Sequence, residues 1–311
     1  MSVKIYIAGS NGLVGSACIN ALKNKGYNNL IFRTSKELDL REEKLVDEFI
    51  RSENPDVIID CAAKVGGILA NDTYPYEFLM DNMLMQNNLI KAAHKYNINK
   101  FIFLGSSCIY PKHANQPLKE EYLLTGSLEP TNQWYAIAKI SGLKLIEALR
   151  KQFNRDYVTL MPTNLYGPRD NFDLKTSHVL PAMIRRFTEA ENEDVTLWGT
   201  GSPYREFLHV NDLADAIIFT LENKMNHSIY NIGPGKEISI KGLAELIQKL
   251  TKHKGKIIWD STKPDGTPRK LMNVSRINSL GWQAKFKLEE GIIDTINWFK
   301  KNQNNFRKTK F

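Results

Sequence analysis

The chain has few cysteines, no long apolar run and no repeat, and each absence narrows the possibilities. Its three cysteines, Cys18, Cys61 and Cys108, among 311 residues form neither a disulfide framework nor a metal-ligand spacing. A reducing, cytoplasmic setting is expected, with no bound metal. No stretch approaches the roughly 18 apolar residues of a membrane span. Val3, Ile5 and Ile7 begin a strand pattern at once, which leaves no room for a signal peptide. No low-complexity linker interrupts the chain. The net charge is +8, but five cations (Lys300, Lys301, Arg307, Lys308 and Lys310) crowd the end without an acid, so the body carries only +3. A solvated basic tail accounts for the excess. No basic helix, zinc spacing or aromatic RNA-binding motif accompanies it, which argues against a nucleic-acid partner. A modest positive balance suits ligands that carry phosphates.

What the chain does have is regular alternation. Short apolar runs (Val3–Ala8, Leu30–Phe32, Val57–Ile59, Phe101–Leu104, Tyr157–Leu160) alternate with amphipathic helical stretches. That pattern predicts an α/β fold with a doubly wound parallel sheet, whose ligands sit at the carboxyl ends of the strands. Residues 1–165 are expected to form this Rossmann domain, with segments returning near 206–232. Residues 166–311 should form mainly a smaller, mixed α/β substrate domain. The long helix around Tyr76–Tyr96 carries methionines suited to helix packing or a dimer surface, and His94 near its end reads as a solvated residue whose cation suits the helix dipole.

Gly9, Ser10, Asn11, Gly12, Leu13, Val14 and Gly15 lie between the first strand and the first helix. Glycines permit the tight turn, and the helix N-terminus favours a pyrophosphate. At the end of the second strand, a site selective for NAD would usually place an acid. Arg33 and Lys36 stand there instead, which suits the 2′-phosphate of NADP, and Asp39 and Leu40 follow at the adenine position. Ala62 and Ala63, small residues after the third strand, let a cofactor approach the backbone. Leu104, Gly105, Ser106, Ser107 and Cys108 close the fourth strand at the same crevice.

Tyr135 and Lys139 are four residues apart, hence on one face of a helix. A serine hydroxyl, a phenol and a lysine make a carbonyl-reduction site. The lysine charge is expected to lower the phenol's pKa, so that the tyrosine can exchange protons near neutrality. A thiol and an imidazole also exchange protons near neutral pH. Arg186 and Arg205 are candidates for phosphate oxygens, which guanidinium groups bind in pairs.

Several stretches together resemble the extended short-chain dehydrogenase/reductases, and among them the GDP-L-fucose synthase family, over nearly the whole chain. They are Ala62–Ile68 (AAKVGGI), Gly105–Pro111 (GSSCIYP), Leu128–Asn132, Tyr135–Lys139, Met161–Gly167, Arg205–His209 and Lys263–Lys270 (KPDGTPRK). The resemblance implies an NADPH-dependent enzyme that epimerises GDP-4-keto-6-deoxymannose at carbons 3 and 5 and reduces it at carbon 4. It assigns Ser106, Tyr135 and Lys139 to reduction, and Cys108 and His178 to epimerisation. It adds Pro162, Thr163, Asn164, Leu165 and His178 to the cofactor contacts. It gives the GDP-sugar Ser107, Cys108, Asn164, Arg186, Trp198, Arg205 and Asp265. It also implies a homodimer. The sequence departs from the pattern at Asn11 and Ser35, where bacterial members carry arginines facing the 2′-phosphate. Two other functions stay open: reduction of a related GDP-4-keto-sugar such as a heptose, with or without epimerisation, and nucleotide or nucleotide-sugar binding without turnover.

Overall fold

The computed structural model describes residues 2–263 and 265–303. Arg307, Lys308 and Lys310 of the basic tail lie outside them, as does Pro264 of the KPDGTPRK turn.

The chain opens with β1 (Ile5–Ala8) and α1 (Leu13–Asn24), then β2 (Leu30–Ile31), α2 (Glu43–Glu53) and β3 (Val57–Asp60). A short α3 (Ile68–Thr73) leads into the long α4 (Pro75–Lys95), followed by β4 (Lys100–Leu104), α5 (Gln133–Phe153) and β5 (Asp156–Pro162). These strands, with β9 (Ile229–Ile232), make one parallel sheet in the order β2-β1-β3-β4-β5-β9. The chain moves one way from β1 to β2, then crosses back to β3. The loops after β1 and β3 therefore diverge, and the crevice opens between them.

Both faces of the sheet are covered, so its strands read as nearly unbroken apolar runs. Alternate residues serve opposite layers. Ile5, Ile7, Ile59, Ile102 and Leu160 belong to the core that holds Cys18 and Leu22 of α1. Tyr6, Ile58, Phe101, Phe103 and Tyr157 belong to the other, with residues of α2, α4 and the end of α5. Asn54 and Asn154 take left-handed backbone at the ends of α2 and α5, a conformation asparagine tolerates better than most residues.

After β5 the order changes. The chain runs through β6 (Asn164–Tyr166), α6 (Val179–Glu189), β7 (Val195–Trp198), β8 (Tyr204–His209) and α7 (Val210–Glu222) before reaching β9. It continues as β10 (Glu237–Ser239), α8 (Ile240–Thr251), β11 (Ile257–Asp260), β12 (Arg269–Lys270), α9 (Ser275–Asn278) and α10 (Leu288–Lys301). Helices α6, α8 and α10 enclose a third core built on Tyr166, Phe172, Phe187, Ile247 and Phe299. β8 pairs with β6, β10 and β12, while β7 pairs with β11. The Ser239 hydroxyl caps α8 by accepting the Gly242 amide at 3.0 Å.

Two expectations fail locally. Phe32 does not extend the second strand; it is exposed beyond Ile31. His94 is half-buried and is not a cation for the dipole. Its Nδ1 accepts from Arg155 Nε at 3.3 Å and its ring packs on Phe153. Burial, with Arg155, holds its pKa below the usual histidine value.

Candidate active site

The glycine loop is shaped by contacts that exclude side chains. A Cβ on Gly9 would lie 2.7 Å from the Cys61 carbonyl oxygen, and one on Gly15 2.3 Å from the Gly9 carbonyl oxygen. Gly12 is the N-cap of α1 with no side-chain cap and no acid in the first turn, so its leading amides remain available to an anion. Ser10 is buried with a hydroxyl that has no partner among the described residues. Asn11 is exposed, while Leu13 and Val14 open the helix half-buried. This cradle fits a dinucleotide pyrophosphate.

The adenosine side is less simple. Arg33 donates to Glu53 at 3.0 Å and to its neighbour's carbonyl, and its guanidinium lies 5.3 Å from the centre of the Phe49 ring. It is therefore held against α2 and does not stand free at the strand end. Lys36 is exposed and makes no ion pair among the described residues. Asp39 is bound by Arg41 through Nε and Nη2, which holds its carboxyl below the usual range. Leu40 is buried. A surface hollow of about 370 Å³ lies here, lined by Arg33, Glu37, Leu38 and Phe49, and not over the reduction residues.

Across the crevice, Ala62 donates its amide to Asp60 Oδ1, and the following loop is pinned to α4 through Lys64 and Asp81 at 3.0 Å. The Gly67 amide donates to the Thr176 carbonyl at 2.9 Å, and a Cβ on Gly67 would lie 2.7 Å from the Ser177 carbonyl. That contact brings His178, the N-cap residue of α6, to the β3 side of the crevice. The residue as a whole is exposed at the start of α6. The atoms crowded around it and the nearby Lys270 charge hold its pKa below the usual value, so it rests neutral.

β4 ends at Leu104, Gly105 follows, and Ser106 turns the chain into a short 3₁₀ turn over Ser107–Ile109. The Ser106 hydroxyl accepts the Cys108 amide at 3.4 Å. Ser107 is buried. Cys108 is 8% exposed; burial raises its thiol pKa, and Lys270, a hydrogen bond from Ser106 and Lys139 oppose the rise. Tyr135 and Lys139 stand in the first turns of α5, and the ammonium lies 5.8 Å from the centre of the phenol ring. The expected lowering of the tyrosine pKa is not what this geometry produces. Burial raises the phenol, the acids Cys108 and Asp60 add to the rise, and the Ser106 hydrogen bond opposes it. The Lys139 ammonium is committed elsewhere, donating to the Leu104 carbonyl at 2.9 Å.

The second wall comes from far along the chain. Leu118 and Met272 form a parallel bridge, with Leu118 donating to the Leu271 carbonyl at 2.7 Å. Lys270, one residue before, lines a narrow cleft with Cys108, Gln116 and Glu129. No local pattern singles out Lys270, although it ends a conspicuous turn. Glu206 fixes this wall from behind. Fully buried, it accepts the amides of Met272 at 2.9 Å and Gly235 at 2.7 Å. Its backbone carbonyl takes hydrogen bonds from Thr163 and Asn164, which, with Pro162 and Leu165, form the segment between β5 and β6.

The four expected GDP-sugar residues beyond this point differ in freedom. Arg186 is half-buried on α6 with no ion pair among the described residues. Arg205 donates to its neighbour's carbonyl; burial lowers its pKa and Asp265 opposes the fall. Trp198 is 57% exposed at the end of β7, with the Lys263 ammonium 5.8 Å from the centre of its ring. Asp265 is not free: it accepts the Thr200 amide at 2.9 Å and hydroxyl at 2.7 Å, fastening the 265–268 turn to the loop after β7.

A family model described as "NAD dependent epimerase/dehydratase family" matches residues 5–233. GDP-L-fucose synthase 1 of Arabidopsis thaliana is 53% identical over 304 residues, covering 97% of this chain and 94% of its own. The solved GDP-6-OMe-4-keto-L-xylo-heptose reductase of C. jejuni superposes with a TM-score of 0.92 at 34% identity, covering 97% of this chain and 98% of its own. A GDP-L-fucose synthetase of Naegleria fowleri bound to NADP gives 0.90 at 27%, covering 99% and 97%. With its parallel sheet, glycine cradle and serine-tyrosine-lysine constellation, the chain belongs to the NAD dependent epimerase/dehydratase family, in the extended short-chain dehydrogenase/reductase branch that holds the GDP-L-fucose synthases.

Proposed function

We propose that the chain is an NADPH-dependent enzyme that epimerises GDP-4-keto-6-deoxy-D-mannose at carbons 3 and 5 and reduces it at carbon 4, yielding GDP-L-fucose. The observation that carries this is the meeting of two sets of proton-exchanging groups at one cleft. Ser106, Tyr135 and Lys139 form one set, and Cys108 and His178, both within the field of Lys270, form the other.

The glycine cradle, Lys139 and the Pro162–Leu165 segment hold the cofactor, which supplies a hydride when bound. The keto group at carbon 4 acidifies the neighbouring C–H bonds. Cys108 and His178 exchange the protons at carbons 3 and 5. Tyr135, whose raised pKa keeps it protonated at neutral pH, gives its proton to the carbon 4 oxygen as that oxygen gains charge. Ser106 donates a hydrogen bond to the same oxygen. Arg186 and Arg205 receive the diphosphate, and Trp198 covers the nucleotide-sugar.

A GDP-4-keto-heptose is the second candidate substrate, favoured by the likeness to the C. jejuni reductase. NADPH consumption with GDP-4-keto-6-deoxymannose, with product stereochemistry read by NMR, tests the choice. GDP-L-fucose as product supports the first. Turnover with the heptose alone supports the second, and binding of both ligands without turnover would leave only a sensor.

We also infer a homodimer through α4 and α5, which pack on one another and leave Tyr76, Met80, Leu84, Trp134 and Ile137 exposed. Light scattering after size exclusion tests it: a monomer mass would remove the inference. Three free thiols agree with a reducing cytoplasm as the working compartment.

A further inference from the structure

The end of β3 carries a buried charge that the chemistry above leaves unused. Asp60 is 1% exposed. Its Oδ1 accepts the Ala62 amide at 3.0 Å, and its Oδ2 has no hydrogen-bond partner among the described residues. Lys139 is 2% exposed, and the acceptor its ammonium reaches is the Leu104 carbonyl. The sheet determines how the two meet. Asp60 is the register partner of Phe103 on β4, so both side chains leave the same face of the sheet. The Lys139 ammonium lies 4.6 Å from the centre of the Phe103 ring. Carboxylate and ammonium thus share with Phe103 the layer under α5.

Each of these charges is withdrawn from water and short of partners. Opposite charges so placed stabilise one another, and removing either strands the other. We propose that Asp60 is the buried counter-ion of Lys139 and a positioning residue for its ammonium. The role in turnover rests on Lys139 belonging to the reduction site; the pairing itself does not.

The surroundings are consistent with this assignment. Asp60 faces Tyr6 from β1, and Arg33 acts on that phenol from the far side. Lys139 faces Asp60 and Cys61 from the β3 end and Cys108 from the turn after β4. Tyr135 stands one turn away on its own helix, and Cys18 of α1 contacts Cys61. Burial raises the acids Tyr6, Cys108 and Tyr135, and the contact with Cys18 followed by burial raises Cys61, so these groups stay neutral near pH 7. Asp60 differs. Burial takes its carboxyl up to about 6, the Lys139 charge and the Ala62 amide limit the rise, and it is ionised at neutral pH.

Asp60→Asn keeps the size and the acceptor for the Ala62 amide while removing the charge. Loss of a nearby negative charge lowers the pKa of both the ammonium and the Tyr135 phenol. The alkaline limb of the kcat/KM profile for sugar reduction should therefore move to lower pH by about one pH unit. A superimposable profile would overturn the proposal. A second measurement needs no turnover: ¹³C NMR titration of the Asp60 carboxyl in the native chain and in Lys139→Met. Loss of the ammonium should raise the carboxyl pKa by about one or more. An unchanged titration overturns the counter-ion even if GDP-L-fucose is formed. A shifted titration in a chain that turns over no GDP-sugar keeps the counter-ion and sinks the proposed substrate.

Discussion

Lys139 donates a hydrogen bond of 2.9 Å to the carbonyl oxygen of Leu104. One ammonium thereby ties α5, the helix of Tyr135, to the strand end that presents Ser106. The lysine holds the frame of the site, while burial sets the direction of the phenol's pKa.

Tyr135→Phe should lower reduction roughly 10²–10⁴-fold, the usual worth of a general acid, with little change in the Kd for NADPH. Stopped-flow reduction of an already epimerised ketone isolates that step. Near-native rates in the variant would remove Tyr135 from the mechanism.

Cys108→Ser should impair epimerisation more than reduction. Solvent deuterium exchange at carbons 3 and 5, followed by NMR, reads the first step directly. Equal loss of both steps would argue against the division of labour between Cys108 and Tyr135.

Lys270→Met should raise the pKa of the Cys108 thiol, because it removes the cation that opposes the effect of burial. Thiolate absorbance near 240 nm, titrated in the native chain and the variant, should show the variant's rise at higher pH. A coincident titration would show that Lys270 has no hold on the thiol.

Arg33→Ala tests the cofactor side. A charge-assisted hydrogen bond contributes about 1.5–3 kcal/mol, and the competing exposed pair with Glu53 about 0–1 kcal/mol. NADPH binding should weaken about tenfold, with NADH unchanged. Equal weakening of both cofactors would assign Arg33 to the packing of α2 alone.

Glu206 predicts a pH dependence of stability. Burial raises its carboxyl to about 7 from the ordinary 4.5. Between those values the folded chain binds more protons than the unfolded one, so this residue's contribution falls as pH rises from about 4.5 to 7. Glu206→Gln removes that slope while disturbing one of the two amide contacts. The variant's Tm relative to the native chain should therefore improve from pH 5 to pH 8; a constant difference would contradict the raised pKa.

The residues legible in the sequence are those whose environment is local. The glycine loop lies between its own strand and helix, and four residues separate Tyr135 from Lys139 on a single helix. The tie of Arg33 to Glu53 is not legible, because that partner comes from the next helix and nothing in the local pattern signals the contact. The burial of Asp60 is not legible, because a charge ending an apolar strand usually marks the start of a solvated loop; here the neighbouring strand and α5 bury it. Lys270 is hidden for the same reason at longer range, since the Leu118–Met272 bridge joins segments with no shared periodicity.

That bridge bears on when the protein becomes competent during synthesis. Ser106, Cys108, Tyr135 and Lys139 all leave the ribosome in the first half of the chain, and the parallel sheet can close once β9 has emerged. The wall carrying Lys270 cannot form until the stretch from Arg269 onward is out of the exit tunnel. A nascent chain stalled before that point would carry every reduction residue and lack one wall of the cleft, so a segment made long after Lys139 completes the site.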